Sequence, residues 1–416
     1  MQRIIVINNN DKALPYGMGT YMANLIECLS LSKFAFDIVC INVAVYELKV
    51  VEKDGYREIL IPAFDGSADK KAPAYCKMLP FILKELYADD DEEIIIHFNH
   101  FIVDYLSNSL KSFFHCKILF TVHYTEWAIE LGGDAQKLIR IVNKVKKGIE
   151  LAPDETKAMD AIAINRDIFQ QTDFIILLAK HTVKTYSQIS LLQNAHYLIV
   201  NNGLKDEYKY LSTTQKQIIR RRYHIKKDET ILFFAGWLGE LKGIYELIEA
   251  FQIVLRTKPD AHLFIAGSFG NFPELLKKAR PACTKITFLG MLDKAEIHDF
   301  YRIADIGIVC SIYEEFGLVA VEMMMHQLPV VVTDTGGLAE IVDDELNGLK
   351  VPIVYKKGKR TVHIHKLAQK ITFLIDHPDE RKRLGENARK KFLSDYELSV
   401  FSSNMIQVYN TLGEEK

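Results

Sequence analysis

Short apolar runs alternate with helical patterns along the chain, and this alternation restricts its fold more than any other feature of the sequence. Apolar runs this short are typical of strands buried on both faces of a parallel sheet, with the helical segments as covering layers. The rhythm stops after Asn201-Asn202-Gly203, in a polar and charged stretch, and then restarts. The sequence therefore predicts two doubly wound α/β domains, with strands at 4–7, 38–43, 59–62, 94–98, 118–122, 174–179 and 197–200, and then at 231–235, 262–266, 286–289, 306–310 and 330–333.

Chain length agrees with two domains. The 416 residues exceed what one hydrophobic core normally organises. We place the boundary in the polar stretch, so that residues 1–205 form the first domain and residues 206–395 the second. Residues 396–416 carry a last helical pattern, with an apolar face formed by Phe401, Met405, Val408 and Tyr409.

Composition and charge exclude several classes of protein. Hydrophobic residues make up 49% and charged residues 25% of the chain, and the net charge of -2 gives no sign of a nucleic-acid partner. The six cysteines lie singly, without CxxC spacing, as reduced core residues of a cytosolic protein do. No apolar run approaches the roughly 20 residues of a membrane span, and the N-terminal apolar stretch is too short for a signal peptide. We expect a cytoplasmic protein that would meet a membrane only at its inner face.

The clearest sign of chemistry lies between residues 306 and 326. The residue pattern predicts a buried strand at 306–310, a tight turn at 314–317 and a helix at 318–326. Backbone amides of Gly317 and Leu318, with the positive end of the helix dipole, would favour an anion such as a diphosphate.

Two carboxylates accompany this helix start. Glu314 lies before the helix and Glu322 within it, so both can face the same cleft. Because carboxylates repel phosphate, we interpret them as acceptors for neutral hydroxyls of a sugar and a ribose. The alternative is that Glu314 only favours the helix dipole and that Glu322 is a solvated helical residue. On the first interpretation, the segment is a nucleotide-sugar site.

The same residues carry a family resemblance. Glu314 and Glu322 enclose Phe316-Gly317-Leu318, and Pro329-Val330-Val331 and Gly336-Gly337-Leu338-Ala339-Glu340 follow. This order of strand, turn, helix, strand and glycine pair resembles the retaining family 4 glycosyltransferases, or glycosyl transferases group 1. The resemblance covers nearly the whole chain and is strongest in residues 231–342.

The resemblance implies a GT-B fold, with two Rossmann-like domains facing an interdomain cleft and a C-terminal helix, here residues 396–416, crossing back to the first domain. The first domain would bind the acceptor and the second the nucleotide sugar. The implied reaction moves a sugar from a nucleoside diphosphate sugar to an acceptor hydroxyl with retention of configuration. It implies no metal or other cofactor, because backbone amides and cations take the diphosphate charge. We expect uridine rather than guanosine as the base; the acceptor, a sugar, a lipid-linked sugar or a peptide, stays open.

A glycine-rich segment, Gly236-Trp237-Leu238-Gly239-Glu240-Leu241-Lys242-Gly243, follows the first strand of the second domain. Glycines let backbone approach a phosphate, and Lys242 adds a point charge. The family has a lysine at the position of Lys242 and an arginine at that of Trp237, which together neutralise the leaving diphosphate. Because the arginine is absent, three explanations stay open. Another basic residue substitutes for it, Trp237 packs against donor or acceptor, or the protein is a non-catalytic nucleotide-sugar-binding relative.

Further site residues follow from the resemblance. Gly17 and Gly19 precede a helix expected over 22–29 and match the family's loop beneath the donor phosphates, although Tyr16 replaces a usual glycine. His123 ends a buried strand, where a side chain can meet a ligand; the family has a histidine there, near the donor sugar. The alternative is a packed, hydrogen-bonded histidine. The predicted catalytic residues are His123, Glu314 and Lys242, and the predicted donor-binding residues are Gly17, Gly19, Gly236, Trp237, Gly267, Met291, Phe316, Gly317, Leu318 and Glu322.

One element is not explained by a donor site. Residues 135–150 have helical spacing, with basic residues on one face and apolar residues on the other. Such a helix can lie on an anionic membrane or hold an anionic acceptor. It can equally be an ordinary surface helix with a solvated basic face.

Overall fold

The computed structural model describes residues 2–9, 17–64, 68–87, 93–99, 106–268, 270 and 272–414. The chain divides into two compact units, each with its own parallel sheet. The first unit comprises Met1–Glu130, Ala135–Gly203 and Leu398–Lys416, and the second comprises Leu131–Asp134 and Leu204–Glu397.

The sheet of the first unit is built on its apolar, β-branched runs. Ile4, Ile5, Val6 and Ile7 are all fully buried, which requires covering helices on both faces of the central strand. Within the described residues, the strand order is β3-β4-β2-β1-β5-β6-β7-β8, and only β3 runs antiparallel to its neighbour. The strands are β1 (Gln2–Asn9), β2 (Ala35–Val43), β3 (Lys49–Glu52), β4 (Arg57–Pro62), β5 (Glu93–Asn99), β6 (Cys116–Val122), β7 (Phe174–Leu177) and β8 (Tyr197–Ile199). Its helices are α1 (Gly17–Ser30), α2 (Ala68–Leu86), α3 (Leu106–Phe113), α4 (Glu126–Leu131), α5 (Ala135–Lys146), α6 (Pro153–Gln171) and α7 (Lys180–Gln188).

The second unit repeats this plan. Its strands are parallel in the order β11-β10-β9-β12-β13-β14, and a separate antiparallel hairpin joins β15 to β16. The strands are β9 (Thr230–Ala235), β10 (Ala261–Ala266), β11 (Ile286–Gly290), β12 (Ile306–Val309), β13 (Val330–Thr333), β14 (Leu349–Val351), β15 (Ile353–Lys356) and β16 (Lys359–Val362). The helices are α8 (Thr213–Arg222), α9 (Ile244–Leu255), α10 (Phe272–Ala279), α11 (Lys294–Ile303), α12 (Leu318–Met325), α13 (Leu338–Ile341), α14 (Ile364–Asp376) and α15 (Pro378–Lys391), with short 3-10 turns at Glu240–Lys242 and Arg280–Ala282 and a π-helical turn at Phe392–Tyr396.

The last helix, α16 (Leu398–Glu414), belongs to the first unit. Its predicted apolar face is confirmed, because Phe401, Met405, Val408 and Tyr409 are buried. The Tyr409 hydroxyl lies 2.7 Å from Nδ1 of His97 on β5. None of the described helices has the length and apolarity that a membrane-spanning helix needs.

The predicted strands are all present, and the structure has four further strands that the sequence did not predict. β3 is an exposed edge strand, and β15 and β16 form a half-exposed hairpin; none of the three has an apolar run longer than three residues. β14 has only three residues. Such strands form because they pair with neighbouring strands, and their own hydrophobic pattern does not predict them.

Two boundaries also differ from the prediction. Helix α1 begins at Gly17, five residues before the expected range of 22–29, so Gly17 and Gly19 form its first turn. Tyr16 lies outside the described residues. Residues Leu131–Asp134, predicted within the first domain, group with the second unit. The reason is polar contact with the hairpin, since the Tyr355 hydroxyl donates to Asp134 Oδ2 at 2.7 Å.

Burial of His97 predicts sensitivity to acid. The ring is fully buried between Thr121 and Tyr409, and burial lowers the pKa of His97 to about 3. The unfolded chain takes up this proton near pH ~6.5 and the folded chain does not, so stability is lost as the pH falls below that value. The loss should approach about 1.4 kcal/mol per pH unit for one histidine. Melting temperatures between pH 7.5 and 5.5 measure it; His97→Asn should make the dependence on pH less steep, whereas His196→Gln, at an exposed position, should not.

Candidate functional site

The carboxyl edge of the second unit's sheet gathers most of the predicted site residues. Gly236 follows β9, Gly267 follows β10, Met291 follows β11, and Glu314 lies beyond β12. These four strands are parallel neighbours, so their carboxyl ends meet at one edge. Met291 is half-exposed there.

Backbone packs directly on backbone where the first two of these loops cross. The amide of Gly236 donates to the carbonyl of Ala266 at 3.0 Å, and the amide of Leu238 donates to that of Ser268 at 3.0 Å. A Cβ at Gly267, where φ is 141°, would lie 1.7 Å from the carbonyl oxygen of Gly236. Glycine is therefore required at residue 267, and the loop presents bare backbone at this edge.

Helix α12 also begins at this edge. Gly317 caps it, and Leu318 is its first residue. First-turn amides have no acceptor inside a helix, and they lie at the positive end of its dipole. The Phe316 side chain, predicted as a donor contact, is buried and packs edge-on against Tyr396 at 5.9 Å. Only its backbone is available to a ligand.

Lys242 and Glu314 form an ion pair at the site. Lys242 Nζ lies 2.6 Å from Glu314 Oε2, and the Ser311 hydroxyl donates to the same oxygen at 2.9 Å. The amide of Ile312 donates to the carbonyl of Leu241 at 2.7 Å and holds the two loops side by side. Both side chains were predicted for one site. Their direct pairing was not, and it means that the cation predicted for a diphosphate is neutralised by Glu314.

Glu322 is held from the neighbouring helix. The hydroxyl of Tyr301, on α11, donates to Glu322 Oε2 at 2.6 Å. Burial raises the pKa of Glu322, and the hydrogen bond from Tyr301 opposes this shift. Oε1 has no partner among the described residues, so it can still accept a hydrogen bond.

The loop after β13 fixes the backbone of Glu314. The amide of Gly337 donates to the Glu314 carbonyl at 2.9 Å, and the Thr335 hydroxyl donates to the Ile312 carbonyl at 3.1 Å. A Cβ at Gly336, where φ is 49°, would lie 2.0 Å from the Glu314 carbonyl oxygen. The glycine pair therefore sets the position of a predicted catalytic carboxylate.

Arg360 is a cation beside this loop that the sequence did not predict. It lies on β16, and its Nη2 donates to the Thr335 hydroxyl at 2.9 Å, while Nη1 donates to the carbonyls of Gly132, at 3.0 Å, and Gly133. The guanidinium is half-buried, and this burial lowers the pKa of Arg360. It has no carboxylate in ion-pair range within the described residues. A basic run around Gly358 was the signal available in the sequence.

The hairpin also reaches the loop that carries Lys242. The Thr361 hydroxyl donates to Glu246 Oε1, on α9, at 2.6 Å. A Cβ at Gly243 would lie 3.1 Å from Cγ2 of Val362. Arg360 and Lys242 thus flank the Glu314 turn through adjoining segments.

Trp237 packs on its own loop. Its indole is half-exposed and covers Gly239, where a Cβ would lie 2.2 Å from the ring. The side chain therefore covers the turn at Gly239, which directly precedes the 3-10 segment Glu240–Lys242.

His123 lies at the end of β6 in the first unit. Its ring packs edge-on against Tyr21, with centroids 4.4 Å apart, and its Nε2 is hydrogen-bonded to the side-chain amide oxygen of Asn99. His97, on β5, bonds Thr121 and Tyr409 and is a core residue. The structure thus gives His123 packed partners, and its contact with a ligand stays a prediction.

The basic helix at 135–150 corresponds to α5. Lys137 pairs with Asp154 at 2.7 Å, and Lys144 pairs with Glu155 at 2.7 Å, both on α6. Leu138, Ile141 and Val142 are buried. Part of the basic face therefore contacts the neighbouring helix, and a membrane contact stays a prediction.

In the described part of the chain, no group of three or more histidine, cysteine, aspartate or glutamate side chains converges as metal ligands do.

Comparison with known proteins adds sequence relatives. Residues 215–391 match the family described as glycosyl transferases group 1. An uncharacterized glycosyltransferase of Methanocaldococcus jannaschii is 32% identical over 206 residues, which are 49% of this chain and 50% of that protein. The chain thus spans about half the length of the first curated relatives it matches.

Solved structures extend the likeness to the whole chain. Sucrose-phosphate synthase of Thermosynechococcus elongatus aligns over 100% of both chains, with a TM-score of 0.79 and 20% sequence identity. HepE of Anabaena, in complex with UDP and glucose, aligns over 99% of this chain and 100% of its own, with a TM-score of 0.69 and 15% identity. At this identity the likeness shows the fold, and it confirms the predicted GT-B fold.

Proposed function

We propose that this chain, whose residues 215–391 match the family described as glycosyl transferases group 1, transfers a sugar from a nucleoside diphosphate sugar to an acceptor hydroxyl. The observation that carries the proposal is the grouping of Lys242, Glu314 and the start of α12 at one sheet edge. A cation and free helix amides suit a diphosphate, and carboxylates suit sugar hydroxyls.

The diphosphate charge requires more than Lys242, because that lysine is paired with Glu314 before any ligand binds. Arg360 is the second cation in our proposal. Its guanidinium is half-buried and has no carboxylate within ion-pair distance among the described residues, although Asp134 attracts it from farther away, so a nearby anion would stabilise it further. Its hydrogen bond to Thr335 places it next to the glycine pair that holds Glu314.

In the proposed reaction, the acceptor oxygen forms a bond to the anomeric carbon on the face from which the diphosphate departs. The bond from that carbon to the phosphate oxygen breaks, and the departing phosphate accepts the proton of the acceptor hydroxyl. Configuration is retained. Lys242, Arg360 and the α12 amides stabilise the charge that develops on the leaving group.

UDP is our proposed nucleotide, which HepE supports because it was solved with UDP and glucose. UDP should raise the melting temperature of the protein well above the effect of UMP, since only UDP carries the phosphate that meets Lys242 and the helix start. We expect ~10- to 100-fold tighter binding for UDP than for UMP, from one charge-assisted hydrogen bond. Release of UDP from a panel of UDP sugars then tests turnover. Equal stabilisation by UDP and UMP would contradict the diphosphate assignment.

The two glutamates should behave differently when replaced. Glu322→Ala should weaken UDP binding by about 1.5 to 3 kcal/mol, because a ribose hydroxyl loses a charged acceptor. Glu314→Ala should not weaken UDP binding, since its removal releases Lys242, but it should impair transfer by a similar amount. Titration calorimetry and transfer assays measure the two effects. Glu322→Gln, which keeps an acceptor oxygen, is the control, and indistinguishable alanine variants would reject the division of roles.

A further inference from the structure

A cavity in the second unit lies away from the proposed donor site. Its volume is about 230 Å³. Ala304 and Leu328, which line it, precede β12 and β13, so it opens at the amino edge of the sheet, opposite the edge with Gly236 and Glu314. His326, at the end of α12, also lines it, roughly 13.5 Å along that helix from Gly317.

The cavity lining is strongly basic. Lys209, Lys216, Arg302 and Lys382 contribute four cations against one carboxylate, Glu386. Among the described residues, none of the three lysines has an ion-pair partner, and Arg302 has only Asp299, at 3.5 Å. Uncompensated cations around a concave surface raise the local concentration of anions.

Two residues that line the cavity, His326 and Arg302, carry buried hydrogen-bonding groups without a partner among the described residues. His326 is buried, with Nε2 2.6 Å from Nδ1 of His298, and its own Nδ1 has no partner in the described structure. The same holds for Nε of Arg302. Buried polar groups without partners are uncommon, and each one calls for a compensating ligand or water.

The size of the cavity limits the ligand. Pockets for drug-sized molecules measure about 300 to 1,000 Å³, so this cavity suits a smaller molecule. The aromatic side chains of Tyr208 and Tyr210 line it beside the lysines. Aromatic rings and cations together suit a monosaccharide that carries a phosphate.

We propose that this basic cavity is a second binding site, for a small phosphate-bearing sugar, and that its occupancy changes nucleotide affinity through Tyr301. Tyr301 is one of the residues that line the cavity, and its hydroxyl donates to Glu322 Oε2 at 2.6 Å. A ligand that shifts this ring moves the carboxylate that we assign to the ribose. The coupling rests on the proposed function, whereas binding to the cavity does not.

Binding is tested by titrating the full chain with glucose 6-phosphate, inorganic phosphate and glucose. We expect the two phosphate compounds to bind and glucose not to. The triple variant Lys209→Gln/Lys216→Gln/Lys382→Gln should lose about tenfold or more in affinity. The matched triple variant Lys227→Gln/Lys277→Gln/Lys366→Gln, at exposed positions outside the cavity, should bind as the wild type does.

Lys242→Ala separates the cavity from the donor site. Binding of glucose 6-phosphate or inorganic phosphate that survives Lys242→Ala and is lost in the cavity variant supports the proposal, even if no sugar transfer is found. If neither glucose 6-phosphate nor inorganic phosphate binds, the proposal is overturned. Binding that is undiminished in the cavity variant, or lost only with Lys242→Ala, overturns it as well.

Coupling is tested by measuring UDP affinity with and without saturating glucose 6-phosphate. The two ligands should change each other's dissociation constant by the same factor, because binding linkage is reciprocal. Tyr301→Phe keeps an aromatic ring at this position and removes the hydrogen bond to Glu322, so it should preserve glucose 6-phosphate binding and abolish the coupling. Equal UDP affinity under both conditions, or coupling that persists in Tyr301→Phe, overturns the route through Tyr301.

Discussion

Lys242→Ala should reduce sugar transfer by ~10²- to 10³-fold, the effect of removing one preorganised electrostatic donor from a charge-stabilising site. Lys242 faces Glu314 directly at 2.6 Å, in the turn beside the start of α12. Its loss removes a cation from the leaving diphosphate and also frees Glu314 to repel it. The lost cation and the freed carboxylate both slow sugar transfer.

The measurement is UDP release and transfer under saturating donor. Lys370→Ala is the matched control, because Lys370 pairs with Glu345 at 3.4 Å in the same unit but has no part in the proposed site. A Lys242→Ala protein that melts like the wild type and turns over at the wild-type rate would show that Lys242 does not stabilise the leaving diphosphate.

Arg360→Gln should lower transfer by a comparable ~10²- to 10³-fold, and Trp237→Arg should restore part of it in the same chain. The reason is that a diphosphate leaving group needs a second cation, which Arg360 supplies from the hairpin and which residue 237 could supply from the loop. In the wild-type background, Trp237→Arg should change transfer little, because a second cation is already present.

Arg360 also binds the carbonyls of Gly132 and Gly133, so its replacement could act by loosening that segment. Arg360→Lys separates the two roles, because it keeps the charge and loses the fork of hydrogen bonds. Activity retained in Arg360→Lys and lost in Arg360→Gln assigns the effect to charge. A wild type that is inert with every donor, beside a Trp237→Arg variant that turns over, would instead identify a non-catalytic relative.

The sequence predicted the parts of the site that follow one strand, turn and helix. Gly317 and Glu322 share helix α12 and its cap, so local spacing was sufficient to relate them. Lys242 and Glu314 could be assigned to one site because the carboxyl ends of parallel strands meet. Their ion pair, however, depends on side-chain directions that spacing does not encode.

Arg360 and Tyr301 could not be predicted in the same way. Arg360 reaches the site from a short hairpin strand that has no apolar run, and its position depends on contacts with Thr335 and the segment at 131–134. Tyr301 reads in sequence as one more aromatic residue on an amphipathic helix. Its hydrogen bond to Glu322 arises only when α11 packs beside α12. The positions of both side chains therefore depend on packing between segments that are far apart in sequence.

The placement of α16 affects the order in which the chain can mature on the ribosome. The first unit needs residues 398–414, because Tyr409 covers His97 and Phe401 packs on Tyr21 at 5.7 Å. The second unit draws nearly all of its residues from the continuous stretch 204–397. Domains usually mature from the N-terminus onward during synthesis. Here the later-made unit can close first, while the earlier-made one keeps a hydrophobic groove open until the last helix has left the exit tunnel.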